Sequence, residues 1–248
     1  MTSLRKFAPG RAENLRTLAA ILFDVDGVLL ASPHERAWRE ALVGFAEPDR
    51  FTTAIYQAEV AGKPRAGGAL AALRALGVPD AETQAPAYAE RKQARLEALV
   101  QEGAVASFPD AIRFVRAVFA LGWPMAVASS SKNANAMLRS VRLDCRHSLF
   151  DVFTSNVCGR DLPAGKPNPA IFLLAAAELP AAPANCIVVE DAPAGIQAAR
   201  AGGMVALGVA RFGDAASLRA AGADLVVTSL DEVVLDALKD GRLLAVGA

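Results

Sequence analysis

Short runs of consecutive apolar residues recur along the chain, and each predicts a buried strand. The first run covers residues 18–23 and ends at the acidic segment Asp24-Val25-Asp26-Gly27. A run of this length without polar alternation is typical of a strand covered on both faces, as in a parallel sheet. Four further strands are predicted in the same way, at residues 124–128, 186–189, 204–209 and 225–228.

Segments with helical periodicity separate these strands, and they lie at residues 110–121, 133–141, 170–179 and 194–201. Alternating strands and helices favour parallel pairing, because a parallel strand is reached through a crossover connection, which is usually a helix. The sequence therefore predicts an α/β fold with a doubly wound, mostly parallel sheet.

Residues 33–103 interrupt this alternation and contain only helical patterns. The patterns cover residues 33–45, 52–61, 68–76 and 86–101. We predict Ser32 as the N-cap of the first helix, with Pro33 at its first position and Glu35 completing a capping box. About 70 residues are too many for one crossover connection. We therefore predict an inserted all-helical domain at residues 33–103, within an α/β core formed by residues 1–32 and 104–248.

Composition narrows the classes of function. Basic and acidic residues both number 26, and this zero net charge removes the long-range field on which non-specific nucleic-acid binding depends. The three cysteines form no CxxC pair, which favours a reducing compartment over a disulfide scaffold or a zinc site. The longest early apolar run is far shorter than the roughly 20 residues of a membrane span. We expect a cytoplasmic monomer with no nucleic-acid or membrane partner.

Polar side chains follow three of the predicted strands at the point where each strand ends. They are Asp24 and Asp26 after the first strand, Ser129 after the second, and Glu190 and Asp191 after the third, with Lys166 in the loop between the last two. Ligands of open α/β sheets bind beyond the carboxyl ends of the strands, so we expect these side chains at one edge. Each has an ordinary alternative role as a turn, a helix cap or a solvated charge. Their occurrence together favours a catalytic site.

Four carboxylates close together would repel one another unless a cation lay among them. The sequence offers no cluster of histidines or thiols for zinc, so oxygen ligands favour a hard ion, of which Mg²⁺ is the natural choice. Mg²⁺ often binds carboxylates together with a substrate phosphate, which indicates phosphoryl chemistry. One carboxylate could attack phosphorus to form an aspartyl phosphate, while a second manages the proton of the leaving oxygen. Ser129 and Lys166 would balance charge on the transferring group.

The same residues resemble the four motifs of the haloacid dehalogenase superfamily, in order and over nearly the whole chain. The matching segments are Phe23-Asp24-Val25-Asp26-Gly27-Val28, Ser129, Lys166-Pro167 and Glu190-Asp191-Ala192-Pro193-Ala194-Gly195. The resemblance implies that Asp24 is the nucleophile and Asp26 the general acid/base, and that Ser129 and Lys166 bind phosphate. It implies a Mg²⁺ ion held by the Asp24 carboxylate, the Asp26 backbone carbonyl and Asp191, with Glu190 nearby or coordinating. The helical insert resembles the mobile cap of the superfamily.

Within that superfamily the chain is most similar to the β-phosphoglucomutase family. His34-Glu35-Arg36-Ala37-Trp38 resembles its HxxAW segment, in which the histidine couples cap closure to the general acid/base. Gly62-Lys63-Pro64-Arg65 resembles its cap specificity loop, which implies that Arg65 holds the distal phosphate. Lys92 falls where the family has a second cap cation, and Ser131, Lys132 and Asn133 continue its second motif. The alternative for the cap cations is a solvated helical face.

The leading hypothesis from the sequence is a Mg²⁺-dependent phosphotransferase that interconverts β-glucose 1-phosphate and glucose 6-phosphate through a phosphorylated Asp24. The nearest alternative is a sugar-phosphate phosphatase that uses the same intermediate with water as acceptor. Both take a small phosphorylated sugar. A metal-independent dehalogenase and a non-catalytic binding protein on the same scaffold are readings from other classes. The first of these is disfavoured because Asp26 has little purpose without phosphate.

Overall fold

A six-stranded parallel sheet is the centre of the core, in a computed structural model that describes residues 17–247. Residues 1–16 of the predicted core domain lie outside the described residues. The strands, in spatial order, are β5 (Ser155–Asn156), β4 (Met125–Val127), β1 (Ala20–Phe23), β6 (Cys186–Glu190), β7 (Val205–Val209) and β8 (Leu225–Val227). The predicted α/β fold with a doubly wound, mostly parallel sheet is confirmed.

Strand β1 lies inside the sheet, which explains why its residues are all apolar. Ile21 pairs in parallel with Met125 of β4 on one side and with Ile187 of β6 on the other. Its four side chains are fully buried. Ile21 and Phe23 pack into the cluster on one face of the sheet, whereas Ala20 and Leu22 pack into the cluster on the other face. Both faces of the strand are therefore covered, as the unbroken apolar run predicts.

Helices of the core lie on both faces of this sheet and follow the predicted alternation. They are α5 (Pro109–Ala120), α6 (Ala134–Ser140), α7 (Ala170–Ala177), α8 (Pro193–Ala201), α9 (Ala215–Ala220) and α10 (Leu235–Lys239). Short 3₁₀ turns occupy Leu149–Val152, Pro183–Asn185 and Leu230–Glu232. The sequence pattern misses β5, because this edge strand has two residues and both are polar. No helix within residues 17–247 is long and apolar enough to cross a membrane.

The insert between the first and second sheet strands in the chain is helical. It contains α1 (His34–Glu40), α2 (Thr53–Ile55), which continues as a π-helical turn at Tyr56–Val60, α3 (Arg65–Ala75) and α4 (Ala81–Gln101), with a 3₁₀ turn at Pro48–Arg50. Its own apolar cluster is centred on Trp38, Leu73 and Tyr88, and the Tyr88 hydroxyl donates a hydrogen bond to the Trp38 carbonyl at 2.8 Å. We call this insert the cap.

Three predicted helix starts in the cap are wrong, and one of them is that of α3, which begins at Arg65 and not at residue 68. Helix α1 begins at His34 and its N-cap residue is Pro33, with no side-chain capping bond, so the predicted capping box is absent. Glu35 instead accepts hydrogen bonds from Thr53 Oγ1 at 2.9 Å and from Arg39. Helix α4 begins at Ala81, five residues before Pro86, although proline favours the first position of a helix.

Two short strands carry the chain from core to cap and back. β2 (Leu30–Ala31) pairs in antiparallel fashion with β3 (Ala106–Ser107). Next to this pair, the Phe108 backbone N–H donates to the Leu29 carbonyl at 3.1 Å. The two connections therefore run side by side.

Candidate active site

The carboxyl ends of β1, β4 and β6 face a cavity of about 350 Å³ that lies between core and cap. Most of the predicted site residues line it: Asp24, Asp26, His34, Arg65, Lys92, Ser129, Ser131, Lys132, Lys166 and Asp191. Parallel strands end at the same edge of a sheet, and this brings together loops that are far apart in sequence. Glu190 and Asn133 do not line the cavity.

Lys166 lies at the base of the cavity between two buried carboxylates. Its ammonium group donates to Asp24 Oδ1 and, at 2.5 Å, to Glu190 Oε1. Burial alone would lower the pKa of Lys166, but the negative charges of Asp24 and Glu190 outweigh it and raise that pKa above its ordinary value. Lys166 therefore remains a protonated cation beside the Asp24 carboxylate.

Glu190 contacts Lys166 and is itself held by the backbone. Its Oε1 accepts from Lys166, and its Oε2 accepts from the backbone N–H groups of Asp191 and Ala192, both at 2.9 Å. The residue is completely buried. Both carboxylate oxygens thus accept hydrogen bonds from groups of the protein. Of the two expected positions, near the metal ion or coordinating it, this arrangement fits the first better. Its position indicates that it holds Lys166 in place.

Asp24 and Asp191 are buried carboxylates that lack enough positive charge around them. Burial, together with Glu190 and Asp26, raises the pKa of Asp24 to about 7 in spite of Lys166. Burial raises the pKa of Asp191 well above its ordinary value, and the negative charges of Glu190 and Asp24 add to the effect. A cation near these two groups would stabilise their ionised forms.

The oxygen donors at this point fit a magnesium ion. Gly27 has a φ of +84°, and a Cβ there would lie 1.9 Å from Asp191 Oδ2, so only glycine lets the loop after Asp26 approach this carboxylate. Within residues 17–247, no group of three or more His, Cys, Asp or Glu side chains is arranged to hold a metal. An ion here would depend on Asp24, Asp191 and a backbone carbonyl. Mg²⁺ commonly binds one or two carboxylates with water and substrate phosphate.

A chain of polar contacts runs from the cap to Asp26. Lys92 Nζ lies 2.8 Å from His34 Nδ1, and His34 Nε2 lies 3.5 Å from Asp26 Oδ1. Burial lowers the pKa of His34 to about 4, with Lys92 adding to the effect and Asp26 opposing it. The imidazole is therefore neutral near pH 7. When Lys92 is protonated it donates to Nδ1, and the ring proton of the neutral imidazole is then on Nε2, the nitrogen that faces Asp26.

Loops of the cap and the core touch each other beside Lys166. A Cβ on Gly165 would lie 2.0 Å from Pro64 Cγ, and one on Gly62 would lie 3.6 Å from Lys166 Cδ. The segment before α3 therefore packs against the loop that contains Gly165 and Lys166. Arg65, the first residue of α3, lines the cavity. The cap is closed over the catalytic edge in this structure.

The loop after β4 supplies hydroxyl groups and one exposed cation. Ser129 is buried, donates to Asp26 Oδ2 at 3.4 Å and accepts from the Ser131 backbone N–H at 3.1 Å. Lys132 is exposed at the rim and pairs with Asp161 at 3.0 Å. The prediction that Asn133 binds substrate is not supported, because Asn133 precedes α6 outside the cavity and its N–H donates to Ser131 Oγ.

Comparison with known proteins agrees with this arrangement. A haloacid dehalogenase-like hydrolase family model matches residues 18–203, three quarters of the chain. The chain belongs to this family. It is an enzyme of the phosphomutase and phosphatase class, which disfavours the non-catalytic alternative.

Some relatives in the family are named phosphoglucomutases and others are named phosphatases. The chain is 36% identical to a β-phosphoglucomutase of Mycobacterium bovis over 241 residues, covering 87% of this chain and 91% of that protein. It is 29% identical to a phosphorylated carbohydrates phosphatase of Thermotoga maritima, covering 90% of this chain and 99% of the relative. An archaeal β-phosphoglucomutase from a Pyrococcus species superposes with a TM-score of 0.70 at 30% identity, covering 90% and 99% of the two chains.

One residue near the site has no signal in the sequence. Arg211 follows β7 and donates to the Gly27 and Val28 carbonyls at 2.7 and 2.9 Å, and to both oxygens of Asp110 at 3.1 Å. Its guanidinium lies 3.7 Å from the centre of the Phe108 ring. The side chain therefore connects the loop after Asp26 to the segment that returns from the cap. A lone arginine after a strand is usually solvated, so only the fold reveals this role.

Replacing Gly195 should disturb the support of Lys166. A Cβ at this position would lie 1.8 Å from Glu190 Oε1, so Gly195→Ala should destabilise the protein by about 1–3 kcal/mol through overpacking and displace Glu190. Gly67→Ala is the matched control, because no atom of residues 17–247 lies within 4 Å of a Cβ at this position in helix α3. That change should stabilise by up to about 1 kcal/mol. Urea unfolding measures both, and equal effects would contradict the assignment.

Removing the Arg211 guanidinium should leave Asp110 as a buried charge without its cation. Arg211→Met should therefore lower the free energy of unfolding by about 3 kcal/mol. Arg200 makes a half-exposed ion pair with Asp224, so Arg200→Met should cost less than about 1 kcal/mol. Chemical denaturation of the two variants tests this ranking. An Arg211→Met loss no larger than that of Arg200→Met would show that the buried pair does not hold the loop.

Proposed function

We propose that the protein is a Mg²⁺-dependent phosphotransferase that interconverts β-glucose 1-phosphate and glucose 6-phosphate. The observation that carries the proposal is the contact between cap and general acid/base, in which Lys92 meets His34 and His34 faces Asp26. This contact ties the position of Asp26 to a closed cap. A closed cap excludes water, and exclusion of water separates transfer to a sugar from hydrolysis.

Asp24 is the proposed nucleophile. One of its carboxylate oxygens attacks phosphorus, the bond from phosphorus to the sugar oxygen breaks, and Asp26 gives its proton to that oxygen. Lys166 lies against Asp24 and balances the charge of the transferring group. Asp24, Asp191 and the Asp26 backbone carbonyl would hold Mg²⁺, which supplies further positive charge beside the phosphoryl group when bound.

The reverse half of the cycle uses the same groups. A hydroxyl of the sugar monophosphate attacks phosphorus on the phosphorylated Asp24, the bond between phosphorus and the Asp24 carboxylate oxygen breaks, and Asp26 takes the proton of the hydroxyl. The bisphosphate formed then turns over so that its other phosphate faces Asp24. Ser129 donates to Asp26 Oδ2 at 3.4 Å, whereas His34 Nε2 lies 3.5 Å from Asp26 Oδ1 without a hydrogen bond, which leaves Oδ1 able to exchange a proton with the sugar oxygen.

A bisphosphate needs a second anion site away from Asp24. Arg65 enters the cavity from the cap, while Lys132 lies at the core side of the rim. Ser131 lines the same wall. These groups are proposed to hold the phosphate that is not being transferred, since guanidinium and ammonium groups bind phosphate well. To bind it, Lys132 must exchange its exposed pair with Asp161 for the phosphate.

Hydrolysis of sugar phosphates is the second candidate. The Thermotoga maritima relative, a phosphorylated carbohydrates phosphatase by name, aligns over 90% of this chain. The same Asp24 intermediate would then pass its phosphoryl group to water. The two candidates share every core residue and differ in how well the closed cap keeps water from the intermediate.

Product analysis distinguishes the two candidates. The protein is incubated with β-glucose 1-phosphate, Mg²⁺ and a catalytic amount of glucose 1,6-bisphosphate, and glucose 6-phosphate and inorganic phosphate are measured separately. A mutase should form glucose 6-phosphate at least about tenfold faster than phosphate, and should depend on the bisphosphate. Phosphate and free glucose released in equal amounts would instead establish the phosphatase.

Replacement of the proposed nucleophile should abolish both activities. Asp24→Asn cannot form the aspartyl phosphate, so turnover should fall by at least about a thousandfold. Asp236→Asn is a matched control, because Asp236 is an exposed carboxylate whose partner is the surface residue Lys239. Chelation of divalent ions should also stop wild-type turnover, and added Mg²⁺ should restore it. Substantial turnover by Asp24→Asn would rule out this mechanism.

A further inference from the structure

Gln57 is a polar cap residue without a partner for its amide oxygen. It lies on the π-helical turn Tyr56–Val60, lines the cavity and is 9% exposed. Its Oε1 is fully enclosed, and within residues 17–247 no donor reaches it. π-Helical turns widen a helix locally and occur frequently at functional sites. The turn thus presents an unsatisfied amide to the wall of the site.

Such a group is costly unless a ligand satisfies it. A buried polar atom without a hydrogen bond destabilises a folded protein by about 1–3 kcal/mol, and most such atoms are therefore paired. A leucine would fill a similar volume without this cost.

Three other polar side chains of the cavity have partners in the chain, whereas Asp26 Oδ1 and His34 Nε2, which face each other at the acid/base, also lack a hydrogen bond. Lys166 is held by Asp24 and Glu190, and Lys92 by His34. The amide of Gln93, which also lines the cavity, donates to Glu97 at 2.7 Å. Gln57 differs from the cations of the site in being neutral and in offering both an acceptor and donors. Its chemistry suits hydroxyl groups, whereas phosphate needs donors and positive charge.

We infer that Gln57 is a specificity-determining residue, whose amide hydrogen-bonds hydroxyl groups of the sugar between the two phosphates. The inference rests on the proposed action on phosphorylated sugars. It assigns recognition of the sugar hydroxyls to this residue of the cap. A hydroxyl donates to the amide oxygen, and a neighbouring hydroxyl accepts from the amide N–H₂. A site built this way discriminates against analogues that lack the hydroxyl, because the buried amide is then left unpaired.

Gln57→Leu tests the inference, with Gln93→Leu as the matched control. On the sugar phosphate that the wild type turns over best, Gln57→Leu should lower kcat/KM by roughly tenfold to a hundredfold, as expected for the loss of one or two hydrogen bonds. Gln93→Leu should change kcat/KM less than about threefold. Hydrolysis of acetyl phosphate, which has no sugar hydroxyls, should proceed alike in all three proteins.

Two further measurements separate recognition from a structural role. If the amide serves only the ligand, the thermal midpoint of Gln57→Leu without substrate should equal or exceed that of the wild type. Monodeoxy sugar phosphates should be poor substrates for the wild type at one hydroxyl position, and Gln57→Leu should no longer discriminate at that position. A midpoint several degrees lower, or unchanged kcat/KM on the sugar phosphate, would overturn the inference.

Failure of the proposed function gives a different result. If the protein only releases phosphate, the mutase proposal fails. Gln57→Leu and Gln93→Leu are then compared by their rates of phosphate release from the same sugar phosphates. If acetyl phosphate is hydrolysed but no sugar phosphate is a substrate or raises the thermal midpoint, both proposals are overturned.

Discussion

The buried charge triad of Asp24, Lys166 and Glu190 is the interaction on which the site depends. Two carboxylates could not remain ionised at the centre of a sheet edge without the lysine between them, because desolvation of an unpaired charge costs several kcal/mol. Glu190 is fixed in turn by two backbone N–H groups. The triad leaves Asp191 and one oxygen of Asp24 for a further cation, which explains why a lysine alone does not satisfy the acidic edge.

Glycines make these close contacts possible. The backbone at Gly27 lies against the Asp191 carboxylate and that at Gly195 against Glu190, where any Cβ would occupy the space of an oxygen. The third such contact joins domains, since Gly165 of the core lies against Pro64 of the cap. Helix α8 begins just before Gly195, so one residue couples the packing of a helix to the position of a charged group.

The sheet and the functional residues at its edge could be predicted from the sequence, because both depend on local patterns. Unbroken apolar runs mark strands buried on two faces, and the acidic residues stand directly after them. The two-residue strand Ser155–Asn156 has no such pattern, since neighbouring strands and not its own side chains place it in the sheet. Contacts between distant charges were equally hidden. Asp110 and Arg211 are 101 residues apart. Each of them, considered alone, would be expected at the solvated surface.

Buried polar atoms without a hydrogen-bond partner are concentrated at the cavity, which indicates that they serve the reaction and not the stability of the fold. Four buried side-chain atoms within residues 17–247 lack a hydrogen-bond partner, and three of them, on Asp26, His34 and Gln57, belong to residues that line the cavity. A fold selected only for stability would pair or remove such atoms. Asp26 and His34 face each other at 3.5 Å, longer than a good hydrogen bond. This spacing leaves Asp26 able to exchange its proton with a substrate oxygen instead of being locked to the cap.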